Sequence, residues 1–283
     1  MPLDGTLNPD FATVDHAQPA STDLGRRIGI ALVAFLVWAM SVAFIAIIPA
    51  IFLFPYLASL DVGLSDSGQI LEIAKSDPTA ILLQIAAVLP AHILTLMLAY
   101  IIVSRSRKFE FLKTLGWKNG GVRWWHYGVI LGAFFAIAIV VGIFAPEQEN
   151  EMLRILRSSR YAVYIIAFVA TFSAPLIEEV IYRGVLYSAF QRAFGVPAAF
   201  LLVTVLFALV HVPQYYPSYS TIFLLTLLSM TLTALRVYSN NLLPCVILHT
   251  IFNGFQSVIL VIEPLINIPV KNEVTGAVID LIK

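Results

Sequence analysis

Apolar residues run along this chain in long blocks, not in short alternating stretches. A membrane-crossing helix needs about 20 mostly apolar residues. The blocks that meet or approach that length cover 28–54, 79–104, 124–145, 161–194, 196–212, 218–238 and 242–262. They lack the ten-residue alternation of a membrane β-barrel. The expected fold class is therefore all-α, a polytopic membrane helix bundle of about seven (six to eight) transmembrane helices. The fourth block is too long for one upright span and predicts a helix that tilts or emerges into water. The fifth is short, which leaves an eight-span or partly re-entrant layout open.

Composition turns this pattern into an exclusion. Of 283 residues, 59% are hydrophobic and 12% charged, with a mean hydropathy of +0.88. Soluble domains carry about 25% charged residues. A soluble enzyme of this make-up would expose apolar surface that monomers do not tolerate. A disordered chain is excluded as well. Seventeen basic and seventeen acidic side chains cancel, so no nucleic-acid partner is implied. The single cysteine, Cys245, excludes an intrachain disulfide framework.

The charges that remain give organisation and orientation. Residues 1–27 are polar and read as a disordered cytoplasmic tail. The apolar run after them is about twice a signal-peptide core, which makes it an uncleaved first span. Residues 28–160 hold three N-terminal spans, 161–262 a polar-containing membrane core, and 263–283 a short C-terminal tail. Loop 61–77 has a net charge of −3 and loop 105–123 a net charge of +5. Positive charge marks the cytoplasmic side, so loop 105–123 and the N-terminus are expected inside. Arg192 and Arg236 are expected at later cytoplasmic ends. Tyr215, Tyr216 and Tyr219 read as interfacial anchors. The expected location is a prokaryotic plasma (inner) membrane.

The fourth block breaks the rule that spans avoid charge. Residues 174–184 read APLIEEVIYRG, with Glu178, Glu179 and Arg183 inside six positions. Each such group at mid-bilayer costs about 2.5–3.5 kcal/mol on the insertion scale. Glu179 and Arg183 are spaced i,i+4, with the acid first, and so form a pair on one helix face. Glu178 points elsewhere and has no partner in its own helix, which makes it the reactive acid. Pro175, one turn earlier, can kink the helix and free a carbonyl.

Two later blocks supply matching groups. Phe207 and His211 are spaced i,i+4 in the fifth, as are His249 and Asn253 in the last. Counting from the neighbouring turns at about 1.5 Å per residue puts Glu178, His211 and Asn253 at a common depth, roughly 18–24 Å in. His249 lies slightly shallower.

These residues resemble the CPBP (Abi) family of intramembrane glutamate endopeptidases, which includes the CAAX prenyl proteases. Its Glu-Glu-x-x-x-Arg motif is matched by Glu178, Glu179 and Arg183, its Phe-x-x-x-His by Phe207 and His211, and its His-x-x-x-Asn by His249 and Asn253. The resemblance covers about residues 161–260. It implies peptide hydrolysis in the membrane without a covalent intermediate. Glu178 and His211 would activate a water, His249 and Asn253 would bind the oxyanion, and Glu179, Arg183 and Phe207 would support them. It also implies a membrane-embedded or lipid-modified peptide substrate, no cofactor, and a cavity open toward the cytosol and the membrane.

Other readings compete. Glu178, His211 and His249 could make a three-ligand zinc site of a metalloprotease, although no His-Glu-x-x-His is present. A carboxylate–histidine relay also suits a proton-coupled transporter, against which stands the lack of a two-fold repeat. A non-catalytic protease-like scaffold is the third alternative. More plainly, the three charges could be a buried cluster fixing helix register, and His249 and Asn253 could join helices. His92, beside Pro90, reads as a polar group at a kink, and Cys245 as a buried thiol.

Overall fold

The computed structural model describes residues 7–12, 24–63 and 65–266. Among them every regular element is helical. Seven helices are long and apolar enough to cross a membrane: Leu24–Ser59, Pro78–Ser104, Trp124–Phe144, Arg160–Phe194, Val196–Tyr215, Tyr219–Ser239 and the helix beginning at Leu243. The last runs on to Ile266, and the remainder of the expected tail 263–283 lies outside the described residues. The protein is an integral membrane protein with the expected all-α bundle.

Span boundaries follow local chemistry. Asp77 opens the second span by accepting from the Ala80 N–H at 2.9 Å, with Pro78 at the first helical position, where its missing N–H is harmless. Asn150 caps a short helix, Glu151–Ser158, and Ser159 caps the fourth span directly after it. Gly195, at φ +85°, makes the tight turn into the fifth span. That span passes through Pro213 to Tyr215, three residues beyond its expected end. A proline in the last turn removes one hydrogen bond, and the Tyr216 N–H closes the turn on the Val212 carbonyl. The fifth span is thus a full crossing, and among the described residues the spans number seven, not eight.

Small residues let the helices approach closely. Ala31, Ala34, Ala99, Ala189 and Ala199 are buried where helices meet, the pattern expected where hydrocarbon surrounds the bundle. Leu32, Leu36, Val129, Val140, Leu201 and Leu209 point outward instead.

The connection 105–123 is packed against the bundle. Its short helix, Phe111–Leu115, ends at Gly116, whose carbonyl accepts the Leu242 N–H at 2.8 Å. The basic connection therefore satisfies an otherwise orphaned donor at the start of the seventh span. Gly120 has a φ of +58°, and a Cβ there would lie 2.5 Å from the Ser239 carbonyl. Leu115 packs over Gly184 of the fourth span.

Residues 7–12 differ from the disordered tail expected of 1–27; residues 1–6 and 13–23 lie outside the described residues. Phe11 is buried in the core of the first, fourth and fifth spans. Asn8 donates from its side chain to the Val103 carbonyl at 2.7 Å and from its backbone to Thr114 Oγ1 at 3.1 Å. Asp10 pairs with Arg26 and Arg105. The polar composition that suggested disorder supplies these contacts to the basic end of the bundle.

Candidate active site

The fourth span is not a uniform α-helix. The Ala174 N–H bonds the Val169 carbonyl and the Tyr187 N–H bonds the Tyr182 carbonyl, each five residues back. These are π-type turns, which widen a helix locally and recur at functional sites. A short α-turn, Ala174–Glu179, lies between them. In the register of the first π turn, the N–H of residue 175 would bond Ala170, but proline has none. Asn253 takes that place, its Nδ2 donating to the Ala170 carbonyl at 2.9 Å. Pro175 thus frees the acceptor that ties the seventh span to the fourth.

Glu178 and Glu179 are separated as their spacing predicts. Glu179 is fully buried, and its Oε1 accepts from Arg183 at 2.8 Å. Arg183 continues to the sixth span, donating to the Ser229 carbonyl and hydroxyl at 2.9 Å each. Its guanidinium also lies 4.9 Å from the centre of the Phe207 ring, a favourable place for a cation. The Glu178 side chain is 24% exposed and faces a cavity of about 710 Å³, whose wall also includes Phe207, His211, His249 and Asn253.

The two histidines have defined proton arrangements. His211 Nδ1 lies 2.7 Å from the Phe207 carbonyl. A carbonyl only accepts, so Nδ1 carries hydrogen and Nε2 keeps its lone pair when the ring is neutral. His249 Nδ1 lies 2.8 Å from the same Glu179 oxygen that Arg183 holds, and its Nε2 is 3.9 Å from Glu178 Oε2. A continuous line runs Arg183, Glu179, His249, Glu178. The carboxylate behind His249 orients the ring, as an acid does behind a catalytic or metal-bound histidine.

Four residues take places that sequence spacing does not reveal. His92 lines the same cavity from the second span, its Nδ1 3.0 Å from Ser173 Oγ. Tyr215, expected as an interfacial anchor, is also in the cavity wall, whereas Tyr216 and Tyr219 are exposed. Glu147 lines the wall and accepts from Thr221 at 3.2 Å. Arg236, expected at a cytoplasmic end, is buried and donates to the Arg183 carbonyl at 3.1 Å. Residue type at a helix end gives no hint of that inward turn. Cys245 is buried, with Sγ 3.4 Å from the Leu232 carbonyl.

The cavity has a defined direction along the bundle. It reaches from mid-bundle to Glu147, Met152, Gln214, Tyr215 and Ser220, at the connections 145–150 and 216–218. The basic loop 105–123 lies at the other end of the bundle. A cytosolic loop 105–123 and a cytosol-facing cavity, expected together, exclude each other in this fold.

For the zinc reading, the three candidate ligands do not gather. Among the described residues no three His, Cys, Asp or Glu side chains form a metal-binding group.

Residues 160–255 match a family model described as type II CAAX prenyl endopeptidase, Rce1-like. The matched segment contains all three motifs and agrees with the CPBP/CAAX protease-like resemblance. No curated protein and no solved structure matches the chain.

Proposed function

From a chain with a CAAX protease-like segment over residues 160–255, we propose an intramembrane endopeptidase that hydrolyses peptide bonds with an activated water. The observation that carries this reading is the separation of the twin acids. Glu179 is sealed behind Arg183 and His249, while Glu178 faces the cavity with His211.

In the proposed reaction, a water held between Glu178 and His211 Nε2 attacks the scissile carbonyl carbon. Its proton passes to one of those two groups, and the carbonyl π electrons move onto oxygen. His249 Nε2–H, when that ring is charged, and the second N–H of Asn253 stabilise the oxyanion. Preorganised donors of this kind are each worth about 2.7–4 kcal/mol in acyl transfer. The oxyanion then collapses, the C–N bond breaks, and the stored proton goes to the departing amine. The separation of 3.9 Å between His249 Nε2 and Glu178 Oε2 lets each address a different atom of the substrate. No metal is needed by this scheme.

The test is cleavage of a fluorogenic membrane peptide by purified protein in proteoliposomes. Glu178→Ala and Glu178→Gln abolish turnover while the thermal unfolding profile is kept. Wild-type turnover in both variants would overturn the reading. Chelators leave wild-type activity intact, and loss of stoichiometric zinc together with activity would replace the scheme by a metalloprotease.

A further inference from the structure

The bundle is closed at one end and hollow toward the other. No residue of loop 105–123, of the turn at Gly195 or of the turn at Asn240 is part of the cavity wall. That end is filled by Leu115, Val185, Leu186 and Leu242, all fully buried. His211 sits one turn before its span ends at Tyr215, and 15 residues, about 22 Å, after that span begins at Val196. The reacting groups therefore lie nearer the end where the cavity emerges.

Basic residues divide unequally between the same two ends. Arg26, Arg27, Arg192 and the six Lys and Arg residues of loop 105–123 lie at the closed end. The end with the mouth has Lys75, Arg154, Arg157 and Arg160, together with Asp61, Asp66, Glu72 and Asp77. There Arg154 pairs with Glu151 and Arg157 with Glu149. Among the described residues the excess of Lys and Arg is therefore at the closed end. Short-loop Lys and Arg excess sets orientation in the bilayer, and acidic residues contribute little.

We propose that the catalytic cavity opens on the extracytoplasmic face, so that the substrate is a membrane-inserted peptide cleaved near its extracytoplasmic end. This inference rests on the peptidase reading for its chemistry and on helix order and charge for its sidedness. The rim suits such a segment. Glu147, Gln84, Gln214, Ser220 and Thr221 offer polar partners around an apolar interior, matching a chain that passes from lipid into water. A lipid-modified cytosolic C-terminus would meet the closed end.

The experiment has two arms. Gln148 and Asn119 are exposed at the two ends, and the native Cys245 is buried, so it serves as the unlabelled background. In spheroplasts, a membrane-impermeant maleimide labels Gln148→Cys directly, and Asn119→Cys only after permeabilisation. The reverse pattern, or labelling of both before permeabilisation, overturns the proposal. The second arm uses two membrane-inserted peptide reporters, cleavable on the outer or the inner side. Cleavage of the outer reporter alone, at least tenfold lower with Glu178→Ala, is the expected result, and cleavage of the inner reporter alone overturns the proposal. Equal cleavage of the outer reporter by wild type and Glu178→Ala overturns the peptidase reading and with it the substrate assignment. The labelling arm reads sidedness independently of that outcome.

Discussion

Glu179 Oε1 accepts hydrogen bonds from both Arg183 and His249, so one side chain balances a buried cation and aims the ring to which the proposed reaction assigns the oxyanion. Glu179→Ala leaves Arg183 charged and enclosed, and a broken buried pair costs about 3–5 kcal/mol. Thermal unfolding in detergent should show that loss, and a double Glu179→Leu, Arg183→Met variant should recover much of it without recovering turnover. At Asn253 the expectation is different. Asn253→Leu removes the proposed oxyanion donor and should lower kcat by about 10²–10³-fold, read in the peptide assay. The Glu179–Arg183 pair was legible in sequence because both ends lie on one helix at i,i+4. The His249 bond to Glu179 was not, because helices 70 residues apart carry no register signal for one another. His92 was illegible for the same reason: its hydrogen-bond partner Ser173 lies 81 positions away.

At the scale of elements, apolar run length was enough to place all seven spans within a few residues. The π turns were not legible, since no residue type marks a five-residue return. Pro175 gave half of the signal: it predicted a freed carbonyl, and the bundle supplied Asn253 as the donor. Pro213 misled in the opposite sense, because a proline ends a helix in sequence terms but is tolerated in a final turn. The basic connection offers a separate test. Gly120 combines a left-handed φ with a 2.5 Å approach to the Ser239 carbonyl. Gly120→Ala should destabilise the fold by more than about 1 kcal/mol, with a lowered unfolding temperature. Gly121, at φ +79° with open space around its Cβ position, should lose less on the same change, and the difference isolates the steric part.

Across the whole molecule, charge distribution set an axis and helix order set the direction of the cavity along it. The first span adds a further property. Leu24–Ser59 has 36 residues, about 54 Å as a straight helix, against a hydrocarbon core of about 30 Å. A helix of that length must lean or bend at Pro49 and Pro55 to match its lipid surroundings. The same helix contributes Ser41, Val42, Ile45 and Pro49 to the cavity wall. Under the peptidase proposal, hydrophobic mismatch would act through these residues on the width of the cavity, with acyl-chain length as the variable. Proteoliposomes of short- and long-chain phosphatidylcholine should differ in KM more than in kcat for one peptide. A KM unchanged across chain lengths would uncouple the first span from substrate entry.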